Sequence, residues 1–308
     1  MLKQKSQLTA ILIALFVVFL WATSWVFIKI GLDEIPALTF AGLRYTLAFL
    51  ILVPILYFNR DRPSFLSQAK RNWKHLFSLG MLLYATTQGA IFLALALLPA
   101  VTVNLLWSFS TVAVALMGAY WLAERPRPIQ WMGIVLASLG AVVFFYPVDF
   151  KQGQLLGIII AAVGIIANAA AVILGRQINR SGKVHPLVVT VISMGFGSIA
   201  LLVAGIWIQG LPPITLRNWG IIVWLAVVNT AFAFTLWNHT LRTLSATQSS
   251  IINGTMLIWI PILAVAFLGE SINGKEILGL VIAGGGTLMV QLQAPTKLLN
   301  FLGRRPAG

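Results

Sequence analysis

Ten apolar stretches, each near the length of a membrane crossing, alternate along the chain with short polar connectors. They run at about 9–30, 37–58, 75–97, 101–123, 128–146, 154–176, 186–208, 216–239, 246–268 and 274–292. A helix crosses the ~30 Å hydrocarbon layer in roughly 20 residues. An open sheet there would leave backbone polar groups without partners, so each stretch predicts a helix. The expected fold is all-α: a polytopic membrane protein with ten transmembrane helices. Pro36, Pro99, Pro147, Pro186 and Pro212 sit near proposed helix ends, where proline costs little. Pro261 lies inside span nine and predicts a local bend. The interval Leu97–Ala100 forces a tight helical hairpin.

One helix pair recurs. Two apolar runs within Trp107–Phe145 are joined by Leu122-Ala123-Glu124-Arg125, and 146 residues later two more are joined by Leu268-Gly269-Glu270-Ser271. Under that offset Glu124 matches Glu270, Gly133 matches Gly279 and Gly140 matches Gly286. The spacing of an acidic helix end and two glycines points to an internal duplication. Residues 1–147 then form the first five-helix repeat, and 148–308 the second repeat with a C-terminal tail. An odd number of spans per half makes the second repeat enter the bilayer from the opposite side, so the repeats are inverted. The glycines of spans five and ten are expected as close-packing positions.

Composition agrees with a membrane protein. The 308-residue chain is 59% hydrophobic and 9% charged, against about 25% charged in soluble domains. Its net charge of +14 does not indicate nucleic-acid binding, because the basic residues sit in short connectors. With the N-terminus inside, 16 of the 21 Lys and Arg residues fall on inner segments, which predicts cytoplasmic termini. The start, Met1-Leu2-Lys3-Gln4-Lys5 before a run containing Trp21 and Trp25, reads as an uncleaved first span. Cysteine is absent, which excludes disulfide and thiol chemistry.

Polar and aromatic residues inside apolar spans are the candidates for contact with a solute. Trp21 and Trp25 share a stripe of span one with Lys29 toward its outer end. Tyr84 and Gln88 share one side of span three, while Asn104, Trp107, Ser108 and Thr111 follow span four. Asn168, Asn229, Trp237 and Asn253 are the counterparts in the second half. Tryptophan offers an apolar wall with one donor, and the amides can orient a polar end. Packing between helices would use the same residue types. Lys29, Arg44, Glu124, His239 and Glu270 are candidates for gating or charge steering. An intramembrane cation such as Arg44 must reach the surface, pair or face water. Tyr45 beside it points elsewhere and reads as ordinary packing.

All seven acidic residues lie in connectors or near helix ends, so no mid-span acid of the proton-relay type is present. Walker, dinucleotide, zinc and calcium motifs are absent, and no cofactor is expected. Ser67-Gln68-Ala69-Lys70 lies in a basic connector without an accompanying catalytic pattern, and no enzyme role is expected. The nominal glycosylation sequons fall on the inner side or within spans.

The inverted halves, Trp21-Ala22-Thr23-Ser24-Trp25 with Lys29, Arg44 after the outer loop, and the acidic ends of spans four and nine together resemble the ten-helix EamA type of drug/metabolite transporter. The resemblance covers nearly the whole chain. It is closest in function to bacterial aromatic-amino-acid exporters. It implies secondary transport in the bacterial cytoplasmic membrane by alternating access, with spans five and ten peripheral to a central path. The expected partners are a small-molecule substrate and membrane lipids, with no obligate protein partner. Other amphiphilic metabolites or drugs, sugar phosphates and nucleotide sugars are alternative substrates, although no central multi-basic phosphate clamp is evident. A passive channel is an alternative mode, and a membrane enzyme or structural partner an alternative class.

Overall fold

The computed structural model describes residues 2–58, 62–121, 127–146, 153–180, 182–240, 243–244 and 246–291. The described residues are helical with short connectors and contain no strand. In chain order the elements are α1 (Leu2–Gly31), α2 (Ala37–Tyr57), α3 (Arg62–Arg71), α4 (Trp73–Gly80), a π-helical segment Met81–Gln88, α5 (Gly89–Leu97), α6 (Ala100–Ser108), α7 (Ser110–Trp121) and α8 (Pro128–Phe145). The second half holds α9 (Gln154–Arg180), α10 (Pro186–Gln209), α11 (Leu216–Ala226), a π-helical segment Val227–Phe232, α12 (Ala233–Thr240), α13 (Ala246–Gly254), α14 (Met256–Leu268) and α15 (Gly274–Gln291). With α4–α5, α6–α7, α11–α12 and α13–α14 each read as one interrupted rod, these are the ten spans. Helix α3 is the only additional helix among the described residues.

Eight spans are long and apolar enough to cross a membrane on length and composition. The other two are span eight, whose apolar part is Leu216–Phe232, and the 18-residue α15. As expected, Pro36 and Pro99 precede α2 and α6 and Pro186 opens α10, while Pro128 also opens α8 and Pro147 lies outside the described residues. Span nine ends on Gly269 in the left-handed region, φ 67°, a conformation that costs glycine no Cβ clash. Pro54 sits inside α2 near its end.

The duplication is visible in backbone detail that an apolar pattern does not encode. The two π segments start at Met81 and Val227, and spans four and nine break at Phe109 and Thr255. Both pairs are 146 residues apart, the offset of the matched acids and glycines. Each π segment holds a threonine hydroxyl that donates to the carbonyl five residues back: Thr87 to Leu82 at 2.7 Å and Thr230 to Leu225 at 2.9 Å. The break in span nine lies six residues before Pro261. Its counterpart at Phe109 is in a span with no proline, so the discontinuity belongs to the repeat rather than to Pro261.

Packing fixes the inversion. Gly133 lies against Gly286, and Gly140 against Gly279. As one helix advances the other recedes, so α8 and α15 are antiparallel. A Cβ added at Gly133 would lie 2.6 Å from the Gly286 carbonyl oxygen, and one at Gly140 2.7 Å from that of Gly279. Helices α2 and α10 cross the same way, Gly42 facing Leu202 and Gly205 facing Thr39. The remaining contacts come in matched sets: span three packs on six and seven, as span eight packs on one and two, and span four packs on six as nine packs on one. A pseudo-twofold axis in the membrane plane generates this pattern. The expected boundary at 147/148 lies outside the described residues.

Gly140→Leu should therefore cost about 1–3 kcal/mol through overpacking and lower the thermal-unfolding midpoint in detergent. Leu139→Ala, at a side chain 53% exposed on the outer face of α8, should change stability by no more than ~0.5 kcal/mol.

Candidate functional site

The bundle is open at one end and tied shut at the other. A cavity of about 630 Å³ lies among spans three, six, seven and eight. Leu79, Leu83 and Tyr84 line it from one side, Phe234 and Trp237 from another, and Thr190 and Ser193 from α10. Space comes from the small residues Ala171 and Gly175 of α9, whose last turns add Arg176 and Asn179. The Ser193 hydroxyl turns back to the Val189 carbonyl at 2.5 Å, so Tyr84, Trp237, Asn179 and Arg176 supply most of the polar character.

The pseudo-twofold axis turns this opening into a crevice among spans eight, one, two and three. Leu79, Leu83 and Tyr84 correspond to Leu225, Asn229 and Thr230, and all three of these are fully buried. The crevice is filled. Arg44 reaches across it from α2, its Nε and Nη2 each 3.4 Å from Thr230 Oγ1 and its guanidinium 5.0 Å from the Tyr45 ring. The Tyr45 hydroxyl donates to Gln88 Oε1 at 2.7 Å. Asn229 donates its amide to the Leu20 carbonyl and, at 3.3 Å, to Thr23 Oγ1.

Polar ties close the adjoining end. Glu270 accepts from the backbone amides of Ala100 at 2.6 Å and Val101 at 3.1 Å, capping α6 with a carboxylate at its positive pole. Lys29 Nζ donates to the Leu95 carbonyl at 2.6 Å. Glu34 accepts from Asn218 at 2.6 Å and Thr215 at 3.2 Å. The Leu38 amide donates to Gln209 Oε1 and the Thr39 hydroxyl to the Gly210 carbonyl.

The sequence profile of the EamA-like transporter family matches the chain twice, over residues 8–146 and 155–292. The chain belongs to the EamA-like transporter family. It is similar to the uncharacterized transporter YoaV of Bacillus subtilis, with 23% identity over 282 residues, 89% of this chain and 93% of that one. A probable amino-acid metabolite efflux pump of Escherichia coli shares 24% identity over 287 residues, 88% of this chain and 90% of the pump. The pseudopaline exporter CntI of Pseudomonas aeruginosa shares 29% over 157 residues, 48% of this chain and 53% of the exporter. A solved crystal structure superposes with a TM-score of 0.63 at 19% identity, covering 96% of this chain and 99% of the other. The chain is thus a multi-pass membrane transporter of small metabolites.

In this EamA-like transporter the expected solute-contacting residues divide among several places. Tyr84 and Trp237 line the 630 Å³ cavity. Trp25, Asn104, Trp107 and Asn253 share a smaller one of about 90 Å³ with Thr111 and Gln291. Asn104 Nδ2 is 3.5 Å from the Met256 carbonyl, at the break in span nine. The Trp21/Trp25 and Gln88/Asn104 groups do not meet around one void. Trp21 instead packs 5.4 Å from Phe234 and 5.2 Å from Trp237, and Gln88 serves Tyr45. The physical reason is helical: Trp21 faces span eight, while Trp25, one turn on, reaches spans four and nine. Asn229 is a buried interhelical tie and Asn168 a half-buried position of α9 outside both cavities.

The charged candidates also separate. Lys29 and Glu270 sit among the closing contacts, with Asp33, around a surface pocket. Arg44 is buried in the filled crevice, and His239 is exposed near the end of α12. Glu124 lies outside the described residues. Tyr45 packs in the core as expected, but it does not point away from Arg44: the long Arg44 side chain folds back over its ring, a contact that helical spacing alone does not reveal. Gln291 was also not anticipated, because it lies at the end of the last span. Its Nε2 donates to Thr111 Oγ1 at 3.2 Å while its Oε1 is buried without a partner.

Because the chain lacks cysteine, single cysteines report the two crevices directly. Gly175→Cys should react with a water-soluble maleimide at least roughly ten-fold faster than Leu225→Cys, in line with local opening free energies that vary across a structure. Adding Glu270→Ala removes a helix-end interaction of about 1 kcal/mol and should speed labelling of Leu225→Cys several-fold.

Proposed function

We propose that this transporter is a secondary exporter of amino acids, aromatic and other apolar ones favoured, or of related small metabolites. It works by alternating access in the bacterial cytoplasmic membrane. The observation that carries the reading is the pairing of one open and one filled crevice by the same pseudo-twofold axis. Two packings of equivalent spans differ here mainly in which crevice is open, and exchanging them moves access from one end to the other. The basic connectors support an open end at the cytoplasm with both termini on that side, which makes the conformation described one that loads from inside.

The lining supports that substrate class. Tyr84, Phe234 and Trp237 offer aromatic surface, and Thr190, Arg176 and Asn179 beside them can orient a charged end. The names of the E. coli amino-acid metabolite efflux pump and of the P. aeruginosa pseudopaline exporter support outward flux of small metabolites. A passive channel is disfavoured by the tied end. No covalent step is needed, since binding only biases the balance between two packings.

Purified protein in liposomes should show saturable counterflow of labelled L-phenylalanine driven by unlabelled amino acid inside. Tyr84→Ala and Trp237→Ala should each lower the initial rate roughly ten-fold or more, because each removes a large aromatic contact worth about 2 kcal/mol. Flux that neither saturates nor exchanges would replace this reading with a channel. For orientation, Arg71→Cys and Lys183→Cys should label from the cytoplasmic side and Leu211→Cys from the outside; a split between the first two would overturn the assignment.

A further inference from the structure

Arg44 is a deeply buried cation whose partners do not account for its charge. It is 5% exposed and carries five N–H donors. Its hydrogen bonds are two long ones, both to the same hydroxyl, Thr230 Oγ1, at 3.4 Å. That hydroxyl is itself committed as a donor to Leu225. The other contact is the Tyr45 ring face. Among the described residues no carboxylate pairs with it: Glu34 is engaged by Asn218 and Thr215, and Glu270 by the start of α6. A buried guanidinium without a counter-charge is costly and persists where something else supplies the anion.

The surroundings state what kind of anion. Tyr45 spends its hydroxyl on Gln88 Oε1, which leaves the Gln88 amide N–H groups as donors on the same tyrosine whose ring face carries the guanidinium. Those two groups together match one planar carboxylate, bidentate on arginine with a further amide donor. The Tyr45 ring also packs 5.8 Å from Tyr84, and Tyr84 lines the 630 Å³ cavity. A continuous line therefore runs from the cavity through Tyr84 and Tyr45 to Arg44. The groups across it, Gln88 and Thr230, belong to the two π segments, where the regular helical ladder is already interrupted.

We propose that Arg44 and Gln88 form the carboxylate-recognising subsite of the transport path, with the remainder of the substrate lying on the Tyr45/Tyr84 aromatic pair. This deepens the proposed amino-acid export and rests on it for the identity of the cargo. When the filled crevice opens, Arg44 lines it and holds the carboxylate. When it closes without substrate, the guanidinium falls back on Thr230.

The test separates the subsite from the transport reading. In counterflow, wild-type protein should prefer L-phenylalanine to L-phenylalaninamide by roughly ten-fold or more, the size expected for loss of a charge-assisted pair. Arg44→Gln should bring that ratio near one, and Arg44→Lys should hold an intermediate value. The midpoint of thermal unfolding of Arg44→Gln should equal or exceed that of wild type, because an uncompensated buried charge is gone. Independently of transport, phenylacetate should raise the unfolding midpoint of wild type and phenylacetamide should not, and Arg44→Gln should abolish the difference. Folded Arg44→Gln that keeps the carboxylate preference overturns the subsite, and so does a phenylacetate shift that is absent in wild type or unchanged in the variant. Absence of phenylalanine counterflow together with an Arg44-dependent phenylacetate shift would remove amino-acid export and leave the anion subsite standing.

Discussion

The bilayer offers backbone amides and carbonyls no partner, and that constraint organises this molecule. It makes every crossing segment helical. It also dictates where a helix is allowed to be irregular. The π segments at Met81–Gln88 and Val227–Phe232 and the breaks at Phe109 and Thr255 all lie in spans three, four, eight and nine, which face other spans and the cavities. Side chains help to satisfy the altered ladder: Thr87 and Thr230 reach the carbonyls five residues back. Spans five and ten, with broad exposed apolar faces, contain no such interruption. Irregular backbone falls in the four spans that pair across the pseudo-twofold axis as three with eight and four with nine.

Duplication supplies a scaffold with two equivalent crevices, and side-chain differences decide how each is used. In one crevice, Leu79 and Leu83 and the edge of Tyr84 border open space beside Ala171 and Gly175. In the other, Leu225, Asn229 and Thr230 are sealed beneath Arg44. The α8/α15 seam is close, with Gly133, Gly140, Gly279 and Gly286 bringing the two helices backbone to backbone. On the proposed mechanism this glycine-lined pair, which lines neither crevice, stays in place while the other spans rearrange.

Much of this was legible from the chain. The ten spans followed from apolar length, the inversion from an odd span count, and the α8/α15 seam from glycines that recur at one offset. The same offset of 146 places the π segments and the breaks, yet nothing in Met81–Gln88 or Val227–Phe232 announces a π-helix, because the interruption depends on packing against neighbouring spans. Candidate site residues were legible as polar or aromatic positions but not as partners. Trp21 and Trp25 lie on one stripe and face different spans, since one turn of a tilted helix passes from one neighbour to the next. Gln88 was recognised while its partner Tyr45 was not, because a pair 43 residues apart in sequence is created only by the crossing of α2 and span three.

The distribution of charge bears on how such a carrier couples binding to movement. The acids whose contacts are described hold ends: Glu270 caps α6 and Glu34 joins α11 to the α1–α2 turn. Contacts of this kind are modest, and on the proposed mechanism they set the balance between two packings without locking either. The buried cation acts in the opposite sense. On the proposed subsite, closing the crevice over an empty Arg44 desolvates a charge, whereas closing it over a carboxylate desolvates a neutralised pair, and the second process is the less costly. Substrate then lowers the cost of the very motion that carries it, which favours exchange over unproductive cycling. On that proposal the coupling arises from the anion that the Arg44 guanidinium holds and requires no mid-span acid.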